Sequence, residues 1–192
     1  MSETRAPGPR GPSDAAPPFG IPTSPAGQPL ALADATQLLH LEAHSLDLQR
    51  WDEWLSLYHS DARFWMPAWT DEHLLSRSPD EELSLMYCAA RAGLEDRVWR
   101  VRSGLSVASM PLPRTTHVVA NTVFAAPPDA DRVELRSAWT CHVYELKRRE
   151  HHAFFGRYEH VLTRGQAGWR IAAKTVVLMN DRIPTMLDFY CV

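Results

Sequence analysis

Glu42 is the residue of this chain best placed to do chemistry. It falls between Leu39 and Leu46 on a run whose other stripe positions are apolar, so a helix there turns its carboxylate inward. Burial in a cavity raises a carboxyl pKa and makes a general base of it. Asp47, His117 and Tyr144 are the groups that would join it. Two plainer readings stand beside this one. Glu42 lies at the edge of the stripe, or it lies inside and is satisfied by an arginine, since buried polar groups are hydrogen-bonded as a rule.

Nine histidines raise the question of metal. His40 and His44 are four apart and share a helix face, but no HExxH frame surrounds them and no third ligand is specified. His151 and His152 are adjacent in an alternating stretch that runs on to His160, so they point to opposite faces and cannot together chelate one ion. A Rieske cluster needs two cysteines and two histidines in paired motifs, whereas Cys141-His142 has no CxH or CxxH partner. No metal and no cofactor is therefore expected in this chain. GxSxG, GxGxxG and GxxxxGK[ST] are missing too, and Cys88 reads as an inert core thiol in an apolar helix.

Arg91, Arg97, Arg100, Arg102 and Arg114 crowd a span that also holds Glu95 and Asp96. Asp96 and Arg100 have the i,i+4 spacing of a solvated helix pair. Arginine is equally the residue of bidentate interface contacts, and Trp99 among them is an aromatic anchor. Both readings stay open here.

These side chains need elements to hold them. Ala35, Leu38, Leu39 and Leu46 predict a first helix from about Asp34 to Gln49, and Trp51, Trp54, Leu55 and Tyr58 predict a second. Residues 62–68 read as a strand ended by Pro67. Ser78-Pro79-Asp80-Glu81 has the form of a helix start with a capping box, and a helix over residues 94–102 stops at Gly104. From Thr115 the period becomes two. Val133, Leu135, Trp139, Cys141 and Val143 alternate with polar residues. Residues 151–163 follow as a strand, then a turn over 164–168. Trp169, Ile171, Ala173, Val177 and Met179 alternate last, with Arg170 and Lys174 on the other face. Helices first and strands afterwards predict an α+β fold, N-terminal helices packed on a curved antiparallel sheet.

Residues 1–30 hold eight of the fifteen prolines and four of the nine glycines, and read as a disordered leader ahead of one domain over 31–192. With 45% hydrophobic and 22% charged residues, the chain has globular composition. A net charge of -3 argues against nucleic-acid binding. No apolar run suits a membrane span or a secretory signal, and three scattered cysteines fit a reducing compartment, so a cytoplasmic protein is expected.

Trp51…Trp54-Leu55…Tyr58…Asp61-Ala62…Phe64 resembles the helix-to-strand opening of the cone-shaped superfamily of nuclear transport factor 2 (NTF2-like), scytalone dehydratase and ketosteroid isomerase. More closely, the chain resembles the small (beta) subunits of aromatic-ring-hydroxylating dioxygenases, in the benzoate, toluate and anthranilate group. Phe64-Trp65-Met66-Pro67-Ala68-Trp69, residues 91–98, Lys174-Thr175-Val176-Val177-Leu178 with Asn180-Asp181, and Asp188-Phe189-Tyr190 carry that likeness from about residue 35 to the end. The Pro-rich leader is a departure from the family pattern.

The resemblance implies a structural, non-catalytic subunit. The Rieske [2Fe-2S] cluster and the mononuclear Fe(II) would belong to the partner alpha subunit, NADH would act through a separate reductase, and assembly would be an α3β3 hexamer with a β3 core. The product would be a cis-dihydrodiol of an aromatic acid or related ring. Trp65, Met66 and Trp69, with Arg91, Arg97, Trp99, Arg100 and Arg102, become subunit-interface candidates, because aromatics and Met give large desolvated contact area. Trp65 as a core residue is the competing reading. The rival function is a stand-alone dehydratase or isomerase working through Glu42, Asp47 or His117.

Overall fold

The computed structural model describes residues 20–104 and 110–192. Helices α1 (Leu32–Asp47) and α2 (Trp51–Ser56) lead into strand β1 (Tyr58–Pro67); β2 (Ser84–Cys88), α3 (Arg91–Ser103), β3 (Arg114–Phe124), β4 (Arg132–Glu145), β5 (Glu150–Gly165) and β6 (Gly168–Leu178) follow, with a 3-10 turn at Phe189–Cys191. The strands form one sheet in the order β2-β1-β6-β5-β4-β3. Every pair is antiparallel except β1 with β6, a parallel pair that the local period of the sequence could not announce.

Sharp local signals end the helices. After α1, Gln49 takes a left-handed φ of 54° while Arg50 N–H bonds Ser45 O at 2.8 Å and Gln49 N–H bonds Leu46 O at 3.0 Å, closing the last carbonyls. Gly104 does the same for α3 with φ 66°. Tyr58 leaves the helical stripe and opens β1 instead, and its ring packs edge-on against Trp54, 5.2 Å between centroids.

Two expected elements differ. The helix start at Ser78 makes one turn only, Glu82 N–H to Ser78 O at 3.0 Å, and the chain continues into β2. Glu82, not Glu81, reaches back to the N–H groups of Arg77 and Ser78. Cys88 is thus a buried strand residue rather than a helical one. Capping chemistry nucleates a turn; without an apolar stripe behind it, the turn does not propagate.

The expected leader also shortens. Residues 1–19 lie outside the described residues, while 20–30 form a largely exposed strap tied to β5 and β6 at a few points. Trp169 N–H donates to Pro22 O at 2.9 Å, its Nε1 donates to Ser24 Oγ at 3.0 Å, and Leu30 is buried. Arg164 clamps the strap, donating to Ser24 O at 2.8 Å, Pro25 O at 3.2 Å and Gln28 O at 2.5 Å, with its guanidinium 5.1 Å from the Trp169 ring centroid. Arg164→Ala should weaken the fold by about 1.5–3 kcal/mol, the range for hydrogen bonds to a charged group. Limited proteolysis should show faster cleavage within residues 20–30; a strap as resistant as before would refute the clamp.

Candidate functional site

The inward face of the sheet meets α1 at Glu42. Its carboxylate is 2% exposed and accepts from Lys174 Nζ at 2.8 Å, from the Tyr58 hydroxyl, and from Trp54 Nε1 at 3.4 Å. His160 Nε2 lies 3.4 Å from Oε2 without hydrogen-bond alignment. Lys174 also sits over the Tyr158 ring, 4.1 Å from its centroid. Burial pushes the Glu42 carboxyl up, but the Lys174 charge and the contacts of His160 together outweigh it and hold the group well below 4.5. The expected raised pKa is thus reversed. Burial lowers Lys174 and His160, with Glu42 pulling both the other way.

Lys174 arrives inside because β6 carries a bulge. Leu162 pairs with Ile171 and Val161 with Ala173, so Ala172 is an extra residue. Inward phase then switches from Trp169 and Ile171 to Lys174, Val176 and Leu178, all buried. Strict alternation had placed Lys174 on the opposite face. The partner of Glu42 is this lysine, not an arginine.

Asp47 and His117 find each other rather than Glu42's cluster. Asp47 Oδ1 lies 2.6 Å from His117 Nδ1 and accepts from Thr115 Oγ1 at 2.9 Å, while Oδ2 accepts from His117 N–H at 2.9 Å. Burial raises the Asp47 carboxyl, but the bonds from His117 and Thr115 bring it below its usual value. These contacts tie the end of α1 to edge strand β3. Tyr144 stands on the outer face, exposed.

The interface candidates separate by burial. Met66 is fully buried core, so that expectation is corrected: β1 is covered on this face by the helices. Trp65 and Trp69 are half-buried, donating from Nε1 to Ser84 Oγ at 2.8 Å and to Leu178 O at 2.7 Å. Arg91 pairs with Glu95 at 2.9 Å and Arg102 with Asp52 at 2.7 Å. Arg97 holds Asp188 at 3.1 Å, the residue that accepts from Phe189 N–H and sets the terminal turn beneath Trp51 and Trp54. Trp99 is 67% exposed. With Tyr87, Cys88, Gly93, Asp96, Arg97 and Arg100 it lines a surface groove of about 470 Å³ beside edge strand β2.

The donor set does not fit an iron–sulfur centre. The three cysteines are buried on β2, on β4 and in the terminal turn, and the sequence has no paired CxH and CxxH motifs of the Rieske kind.

The ring-hydroxylating beta subunit family model matches residues 41–185. The small subunit of 2-halobenzoate 1,2-dioxygenase from Burkholderia cepacia is 41% identical over 82% of this chain and 93% of its own length. The beta subunit of benzoate 1,2-dioxygenase from Acinetobacter baylyi is 35% identical over 84% of this chain and 94% of its own. The crystal structure of the benzoate 1,2-dioxygenase beta subunit from Burkholderia mallei superposes with a TM-score of 0.70 at 33% identity, covering 86% of this chain and 99% of that one. The matched residues 41–185 run from within α1 to beyond the end of β6 and so include Glu42 on α1 and Trp99 on α3. This chain belongs to the family of ring-hydroxylating dioxygenase beta subunits.

Proposed function

We propose that this chain is the supporting, non-catalytic subunit of a dioxygenase that cis-dihydroxylates an aromatic acid of the benzoate type. Its alpha partner would carry the Rieske cluster and the mononuclear iron, a separate NADH-dependent reductase would supply electrons, and the assembly would be α3β3 around a β3 core in the cytoplasm. Among the described residues no helix is long and apolar enough to cross a membrane.

The observation that carries this reading is the state of Glu42. The buried Glu42 carboxylate is saturated by a lysine, a tyrosine and a tryptophan, and a carboxyl held well below 4.5 is a poor proton acceptor. The exposed aromatic Trp99, flanked by Arg97 and Arg100, supports an alpha-facing surface on α3 and β2.

The test pairs assembly with turnover. Size-exclusion chromatography with light scattering should give a mixed hexamer on co-expression with the large subunit, and the complex should oxidise an aromatic acid with reductase, NADH and O2. Glu42→Gln, retaining the acceptor oxygen, should leave kcat per assembled complex within about twofold, although the chain is less stable. Loss of all turnover in a fully assembled Glu42→Gln complex would make Glu42 part of the reaction and overturn the non-catalytic reading, and a chain that stayed apart from the large subunit would favour the stand-alone rival.

A further inference from the structure

The inward rows of β4 and β5 stop being apolar where the two strands join. Val143 and Phe154 are buried, yet the inward positions beyond them are Glu145, Glu150 and His152. Glu145 pairs directly with Glu150 across the hairpin, and His152 pairs with Val143. Period two puts Glu150 and His152 on one face, and the register brings Glu145 onto it. Like charges directly opposite on paired strands destabilise the pair unless something positive lies between them.

The distances fit an ion better than a proton. His152 Nε2 is 3.7 Å from Glu145 Oε1 and 3.7 Å from Glu150 Oε2. One ligand atom from each of the three lies within 4.8 Å of the others. A separation of 3.7 Å is too long for a hydrogen bond, and Glu145 Oε1 and His152 Nε2 are both buried with no hydrogen-bond partner. Ligands each about 2.0–2.2 Å from a tetrahedral zinc-class ion lie about 3.3–3.6 Å apart. Arg148 Nε stands 3.8 Å from the other oxygen of Glu145, which leaves Oε1 turned toward the histidine. Glu150 is 55% exposed, so the cluster opens to solvent on one side.

We propose that Glu145, Glu150 and His152 form a three-ligand site for a divalent cation of the zinc class, one that clasps the end of the β4–β5 hairpin. It departs from the expectation of a metal-free chain, which rested on adjacent histidines and cysteine motifs. The ligands are instead a cross-strand pair of glutamates and a histidine two residues on, a pattern visible only once the register is known. The outer-face pair His142 and His151, whose ring nitrogens are 3.0 Å apart, is the natural competitor.

The full chain, stripped with chelator, is dialysed against Co2+ and then Zn2+. Expected are one ion per chain, the visible absorption of a low-coordinate cobalt site, and a higher Tm with metal present. Glu150→Gln, at the exposed ligand, and His152→Gln should each weaken binding at least tenfold. The double change His142→Gln/His151→Gln should leave it unaltered. Uptake below one ion per chain, or uptake abolished by the outer-face double change, overturns the site. Should His152→Gln fail to fold, Glu150→Gln decides alone, because its side chain lies outside the core.

Discussion

Lys174→Met should lower the stability of this chain by about 3–5 kcal/mol, the range for leaving one partner of a buried ion pair unpaired. Lys174 and Glu42 are both buried and bonded at 2.8 Å, and the lysine is the nearest full charge to a carboxylate that is 2% exposed. Denaturant unfolding reads the loss directly. The double variant Glu42→Gln/Lys174→Met should recover most of it, since Gln still accepts from Tyr58 and Trp54 and no charge remains to desolvate. A single variant within about 1 kcal/mol of the parent would show that the pair is solvated and the cluster misassigned.

The same variant inverts the pH profile. In the parent, Glu42 stays ionised when folded while the unfolded chain takes up a proton near 4.5, so its contribution is complete above about that pH and is lost below it. His160, lowered by burial from 6.5, works in the same direction: the unfolded chain binds a proton that the folded one resists. Without Lys174, burial dominates and raises the Glu42 carboxyl. The folded state then binds the extra proton, and acidification from neutral pH toward 5 stabilises the variant while it destabilises the parent.

Trp99→Ala should cut assembly with the large subunit by about 30- to 1000-fold in Kd, the consequence of removing a 2–4 kcal/mol aromatic anchor. In the isolated chain Trp99 is 67% exposed, so the change should leave Tm within a degree or two and the loss can be read as interface alone. Arg100→Glu tests the charge beside it without touching the core. Arg97→Glu is a poorer probe, because it also releases Asp188 and the terminal turn stacked on Trp54. Unchanged mixed-hexamer formation in both Trp99→Ala and Arg100→Glu, by light scattering, would remove α3 from the interface.

Local chemistry was enough to read much of this protein. Leu38, Leu39 and Leu46 announce α1, the alternation of Val133 to Val143 announces β4, and Gly104 announces the end of α3, because each signal lies within a few residues and follows the helix or strand period. Glu42's inward turn was legible for the same reason. Its partner was not: Lys174 is 132 residues away, and its facing depends on one inserted residue, Ala172, which shifts the phase of β6. Ser78 and Glu81 spelled a helix start that became a single turn, since capping residues specify how a helix begins but only packing decides whether it continues. Sequence order likewise hid the parallel pairing of β1 with β6, the strap held by Arg164, and the meeting of Glu145, Glu150 and His152. The sequence by itself determined periods, turns and family; the tertiary structure decided which charges face each other, because register and bulges are set by contacts far apart in the chain.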